Sequence, residues 1–267
     1  YVINTCTVTA EADRDARSAS RRALARNPGA LVVATGCYPE VDREPMARIP
    51  GVQLVGGNAL KADLVRRVCD LLAERPHGRT DPPSQGPPAE GSEQRVSHPL
   101  APLATREGEL AGVSAIGRTR QVVKVEEGCS YGCAYCVVPR ARGKARSRPL
   151  SEVIEEVRRL ADGGCREVVL TGTCIGSFGK DLAPRVSLAE CASAAAAVEG
   201  IARVRISSIE PWEVEEDLID LVANNPVLCP HFHLPLQSGD DGLRRRMRRP
   251  GTSAQFEDQV SRIRERV

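Results

Sequence analysis

The chain has 267 residues, with 37 basic against 35 acidic side chains and a formal net charge of +2. Aromatic residues make up only 3%, and 10 cysteines are spread along the chain. This balance excludes a coiled coil, a collagen-like chain and a wholly disordered chain. No apolar run approaches the ~18 residues of a membrane-spanning helix, and no export signal is visible. The cysteines are too sparse for a small secreted disulfide scaffold. The expectation is a reduced, cytoplasmic compartment and a metal or redox role for some of them.

Residues 1–75 alternate short apolar strands with helices. Strands are expected at 2–5, 31–34 and 52–55, and helices at 11–26, 43–48 and 60–72. Asn27-Pro28-Gly29 stops the first helix. Leu64, Val68, Leu71 and Leu72 share a face of the last one. Such alternation predicts a small α/β domain. Residues 76–117 change character: seven prolines fall between Pro76 and Pro102, among Gly, Ser and Glu, and no apolar period survives. This reads as a linker.

Alternation resumes over 118–267. Strands are expected at 122–125, 167–170, 204–207 and 231–236. Helices are expected at 150–161, 188–198, 214–222 and from Ser253 to the end. Four βα units predict a parallel sheet or part of a barrel. A complete eight-unit barrel needs about 250 residues, more than this segment holds. The fold class is α/β: a small N-terminal α/β domain followed by a partial (β/α) barrel.

Cys129, Cys133 and Cys136 crowd into a loop directly after the first strand of that segment. Three soft thiolates at this spacing can hold three irons of a four-iron cluster, leaving the fourth iron open to a chelating ligand. A zinc knuckle needs a fourth ligand close by, and none lies between Cys136 and Cys165. Three unrelated buried thiols are the remaining alternative.

The C-x₃-C-x₂-C spacing, with Tyr135 before the last cysteine, resembles the radical S-adenosylmethionine superfamily. Further stretches resemble its methylthiotransferases: Val2 to Thr9, Thr35-Gly36-Cys37, Glu127-Gly128-Cys129, Pro139 to Lys144, Arg146-Ser147-Arg148, Arg205 to Glu210 and Leu234 to Gly239. Their combination is similar to the branch acting on threonylcarbamoyladenosine in tRNA. The resemblance implies two [4Fe-4S] clusters, one on Cys129, Cys133 and Cys136 and an auxiliary one on Cys6 and Cys37. A third auxiliary cysteine is expected before Tyr1, and barrel strands and an RNA-binding domain after Val267, so the chain reads as a fragment. The isolated fragment is expected to be poorly soluble and inactive. Cys69, on a helix face, is expected to be a packed thiol.

The resemblance also implies S-adenosyl-L-methionine as the chelating ligand, cleaved to a 5′-deoxyadenosyl radical, with an external electron donor and a sulfur source. A methylthio group would pass to C2 of the modified adenosine. Tyr135, Thr171, Gly172, Ser207, Ser208, Gln237 and Ser238 are the expected cofactor contacts, although hydroxyl and amide groups at strand ends also serve as ordinary caps and turns. Where Cys174 stands, this branch usually carries a histidine. Arg140, Arg142, Lys144, Arg146 and Arg148 form a basic patch beside the cysteine loop, and Arg244 to Arg249 a second. Such patches contact backbone phosphate, so a tRNA anticodon arm is the expected partner, with neither DNA nor a membrane. Alternative targets are isopentenyladenosine in tRNA or an aspartate of a ribosomal protein. The rival of another class is a non-catalytic iron–sulfur or zinc protein that binds RNA.

Overall fold

The structure is a computed structural model that describes residues 1–74 and 120–267. The linker expected at 76–117 lies outside the described residues. The chain divides into two compact units. Among the described residues, no helix is long and apolar enough to cross a membrane.

The first unit is a three-stranded parallel sheet in the order β1 (Val2–Thr5), β2 (Val32–Gly36), β3 (Val52–Val55). Every residue of β2 is buried, as expected for the middle strand of a covered parallel sheet. Helix α1 (Ala10–Arg26) starts where the Thr9 hydroxyl accepts from the Ala12 N–H at 3.1 Å. It ends at Asn27, which Pro28 forces into an extended conformation. Two short helices follow β2, α2 (Cys37–Val41) and α3 (Glu44–Ala47). Helix α4 (Leu60–Ala73) lays Leu60, Leu64, Val68 and Leu71 against Leu31, Val33 and Leu54. Leu72, expected on that face, is 49% exposed. Cys69 is exposed too, contrary to its expected packing.

In the second unit, β4 (Arg120–Lys124), β7 (Glu167–Thr171) and β8 (Arg203–Ile206) form an open parallel sheet in that order. Between them, β5 (Glu126–Glu127) pairs antiparallel with β6 (Arg146–Ser147), and α5 (Val138–Arg142) lies between these two. Helix α6 (Leu150–Asp162) buries Val153, Ile154, Val157 and Leu160. Helices α7 (Leu188–Ala196) and α8 (Glu216–Asn224) complete the layer over the sheet, and α9 (Asp241–Arg246) and α10 (Ser253–Arg264) follow. Capping boxes start α7 at Ser187/Glu190 and α10 at Thr252/Gln255. Val123, Val168, Leu170, Val204 and Ile206 join Val157, Ile175 and Leu218 in one core.

The fourth strand, expected at 231–236, does not form a ladder. Only isolated parallel bridges continue the sheet, Val204 to Leu228 and Ser208 to His233. Pro230 precedes the segment and Pro235 lies within it, and both lack the N–H a ladder needs. His231 and His233 are both exposed.

Candidate active site

Parallel pairing brings three strand ends to one edge of the second sheet. Lys124 is in register with Thr171, and Leu170 with Ile206. The Val125 N–H donates to the Thr171 carbonyl at 2.8 Å, and the Ser207 N–H to the Leu170 carbonyl at 3.0 Å. The cysteine loop, the Gly172 turn and the Ser207-Ser208 pair therefore leave the sheet side by side.

The β5–β6 pair closes the base of the cysteine loop. Gly128 has φ +91°, and a Cβ there would lie 2.1 Å from the Lys144 carbonyl oxygen, so only glycine fits. The Cys129 N–H donates to Gly143 O at 3.0 Å, Cys136 N–H to Cys133 O at 3.0 Å, and Ala134 N–H to Met247 O at 2.9 Å. All three thiols are half-buried, and the Tyr131 N–H points at Cys129 Sγ from 3.4 Å. Among the described residues, no three His, Cys, Asp or Glu converge on a single metal ion. A four-iron cluster makes a different demand, because each thiolate binds its own iron. Three reachable soft donors on one backbone-braced loop, one with an N–H aimed at its sulfur, fit that demand.

Buried polar groups line the edge beneath the loop. Cys174 is buried and bonds Cys129. That bond, first among the causes, lowers Cys129 to about 7, while Cys174 keeps its proton and is pushed up. Glu126 is fully buried. Its Oε2 accepts from the Cys174 N–H at 2.8 Å, and its Oε1 has no partner. Burial raises its pKa to about 8. The buried Glu213 carboxylate gathers Tyr131 Oη at 2.8 Å, Ser177 Oγ at 3.0 Å, Lys180 Nζ at 3.3 Å and Cys174 Sγ at 3.5 Å. Trp212 Nε1 donates to Tyr131 Oη at 2.9 Å, with the two rings edge to face. Burial is the first cause raising the Tyr131 phenol, so it stays a donor to Glu213.

Among the expected cofactor contacts, Thr171, Gly172, Ser207 and Ser208 share this edge. Gly172 allows close approach: a Cβ there would meet Glu126 Oε2 at 2.6 Å. The Ser207 hydroxyl is buried without a partner. Ser208 Oγ is 2.8 Å from His233 Nδ1. Tyr135 is 52% exposed. Gln237 has φ +68°, in the loop before α9. The Ser238 hydroxyl accepts from the Asp240 N–H at 3.1 Å, a turn role.

In the first unit Cys6 and Cys37 directly follow β1 and β2. Thr5 is in register with Gly36, so the two cysteines leave adjacent strands at the same edge. Cys6 is exposed and Cys37 buried, with Asn58 Nδ2 donating to Cys37 Sγ at 3.7 Å. Gly36, at φ +108°, leaves no room for a side chain: a Cβ would lie 2.5 Å from Thr5 O.

A family model of the Radical SAM superfamily matches residues 123–267, more than half of the chain. The chain belongs to the Radical SAM superfamily. The Uncharacterized protein family UPF0004 matches residues 1–57. Threonylcarbamoyladenosine tRNA methylthiotransferase MtaB of Aquifex aeolicus is 36% identical over 266 residues, covering 98% of this chain and 60% of the relative. The tRNA-2-methylthio-N(6)-dimethylallyladenosine synthase of Anaeromyxobacter dehalogenans is 33% identical, covering 98% and 53%. The chain thus spans between half and two thirds of these curated relatives. The cobalamin-dependent S-adenosylmethionine radical enzyme OxsB, solved with aqua-cobalamin, matches at TM-score 0.65 and 11% identity, covering 97% of this chain and 38% of its own. That likeness is one of fold.

For this radical SAM chain, the basic patches need correction. Arg148, grouped with the phosphate-facing residues, is 2% exposed. It donates to Lys124 O at 2.9 Å and pairs with buried Glu156. Its charge is neutralised inside the unit, and no surface is left for phosphate. Arg140 and Lys144 are exposed, while Arg142 and Arg146 are half-buried. Arg142 Nη1 lies 3.6 Å from Glu127. In the second patch Arg244 and Arg249 are buried and bond backbone carbonyls. Glu126, Glu213 and Arg249 were not singled out individually from sequence. For Glu126 the available signal was a carboxylate set directly after the buried Val123 and Val125.

Proposed function

We propose that this chain is part of a radical S-adenosylmethionine methylthiotransferase that modifies C2 of N6-threonylcarbamoyladenosine in tRNA. The observation that carries the reading is the Cys129–Cys136 loop, braced at the strand edge that also bears Thr171, Gly172, Ser207 and Ser208. Similarity to the Aquifex relative, named for that substrate, supports the target. Cys129, Cys133 and Cys136 would hold one [4Fe-4S] cluster, and Cys6 and Cys37 would contribute to a second. When bound, the first cluster supplies the electron that cleaves S-adenosyl-L-methionine.

The chain's own groups prepare the site. Gly128 lets the loop fold back on Lys144, and Glu213 ties it to the Ser177 turn through Tyr131. The unpaired Ser207 hydroxyl offers a hydrogen bond to a polar cofactor atom, as do Thr171, Ser208 and Tyr135 in this reading, with Gln237 and Ser238 reaching in from the next loop. Exposed Arg140 and Lys144 give an anticodon arm a cationic border. A second target, dimethylallyladenosine in tRNA, is favoured by the similarity of the Anaeromyxobacter synthase.

Mass spectrometry of tRNA nucleosides, from a strain lacking the gene and from the same strain complemented, tests the reading. Loss and return of the 2-methylthio form of threonylcarbamoyladenosine is expected. Loss of the dimethylallyladenosine form instead would transfer the reading to the second target. An unchanged nucleoside profile would overturn both.

A further inference from the structure

The second arginine run reads in sequence as a phosphate surface. In the structure it turns inward at its end. Arg248 adopts φ +56°, left-handed for a residue with a Cβ, and reverses the chain after α9. The Arg249 N–H then bonds back to Arg244 O at 3.0 Å. Arg249 is 6% exposed.

Its guanidinium is fixed on several sides. Nη1 and Nη2 donate to the two Glu210 oxygens at 2.7 and 2.6 Å, and Nη2 also to Pro235 O at 2.7 Å. The plane lies over the Trp212 ring, 4.9 Å from its centroid, a favourable cation–π arrangement. A bidentate fork of this kind is strong and directional. Nε is buried without a partner, so the fork is not saturated. The Cys133 side chain lies beside the group. An independent contact holds the same two segments together: the Ala134 N–H donates to Met247 O at 2.9 Å. Trp212 reaches the loop a third way, through Tyr131 Oη. Further titratable groups at this junction are Tyr135 and Cys136, with Tyr131 and Glu213 behind Trp212.

We propose that Arg249 is a positioning residue for the cysteine loop: held by Glu210 and Trp212, it fixes the segment whose Met247 carbonyl receives the Ala134 N–H beside Cys133, and its charge raises the electron affinity of the cluster bound there. The second half of this inference rests on the loop being a cluster site. A fixed cation beside a sulfur ligand stabilises the reduced, more negative cluster. Arg249→Gln removes the charge, Arg249→Lys keeps it without the fork, and Glu210→Gln loosens the fork but retains Arg249. Arg245→Gln, exposed on α9, is the control.

Two measurements separate the claims. In the cluster-free chain, hydrogen exchange of the Ala134 and Cys136 amides tests the clamp without any metal. Exchange at least about tenfold faster is expected in Arg249→Gln, smaller in Glu210→Gln and unchanged in Arg245→Gln, with the β4 and β7 amides still protected. Wild-type exchange in Arg249→Gln would overturn the positioning role. Should Arg249→Gln not fold, wild-type exchange in Glu210→Gln would overturn it equally. In the chain reconstituted anaerobically with iron and sulfide, the dithionite-reduced fraction is followed against potential by electron paramagnetic resonance. Arg249→Gln should lower the reduced-to-oxidised ratio at fixed potential about tenfold, about 59 mV for one electron, and Arg249→Lys should recover part of it. An unshifted potential at full iron content would overturn the electronic role. A wild-type chain that takes up no iron would instead sink the cluster reading and leave the exchange result to judge the clamp.

Discussion

Replacing Arg148 by alanine removes one partner of a buried ion pair. Arg148 is 2% and Glu156 4% exposed, so the loss strands a carboxylate in the core between α6 and the sheet. The Lys124 carbonyl loses its donor as well. Breaking such a pair costs about 3–5 kcal/mol, a fifth or more of the roughly 5–15 kcal/mol that holds a domain together. With a urea slope of about 2–3 kcal/mol per molar, the unfolding midpoint falls by about 1–2.5 M. Trp212, the single tryptophan, reports this by fluorescence. Replacing both partners, as Arg148→Met with Glu156→Leu, should recover at least half of the loss, since apolar pairs of similar volume often substitute for buried ions. The double variant should also bind tRNA as the wild type does. A loss below about 1 kcal/mol in Arg148→Ala, together with weakened tRNA binding, would refute the burial argument and return Arg148 to the RNA surface.

Removing Arg140 and Lys144 together by glutamine substitution should leave the fold intact. It should flatten the slope of log affinity for tRNA against log salt by about 1.5, as expected for two lost phosphate contacts. Gly128→Ala forces a Cβ against Lys144 O at a positive φ; strain of about 1–3 kcal/mol should appear as a fall in iron bound per chain after reconstitution. Glu126 gives a pH signature. Its folded pKa, about 8, lies above the ordinary carboxylate value of 4.5, so the native state holds the proton more tightly. The stability it contributes is complete below about 4.5 and is lost as pH rises towards about 8. Glu126→Gln should therefore gain roughly 3 kcal/mol relative to wild type at pH 7 and flatten the profile in cluster-free chain. Equal pH profiles would count against a buried, protonated Glu126.

The sequence made the α/β alternation, the parallel sheets and the cysteine loop legible because each rests on local signals. The apolar run of β2, the spacing of Val153, Ile154, Val157 and Leu160, and the three clustered cysteines all declare themselves within a few residues. The errors share a cause: partners distant in the chain. Arg249 finds Glu210 39 residues away, and Arg148 is neutralised by Glu156 on the next helix, so neither charge run shows from sequence which members face inward. Two prolines broke the fourth ladder at 231–236, where apolar alternation suggested a strand. The short helices α5 and α9 carry too few apolar residues to show a period. At the site, Thr171, Gly172, Ser207 and Ser208 gather as parallel register requires. The buried carboxylates Glu126 and Glu213 became visible only once three strand ends shared an edge.

The central claim is that the Cys129, Cys133 and Cys136 loop holds a four-iron cluster whose open iron takes S-adenosyl-L-methionine. The direct measurement is the electron paramagnetic resonance spectrum of the reconstituted, dithionite-reduced chain, recorded before and after adding that compound, with Cys129→Ala as control. The account predicts a changed spectrum on addition, absent in the Cys129→Ala chain. A cluster spectrum that does not respond to S-adenosyl-L-methionine would contradict it.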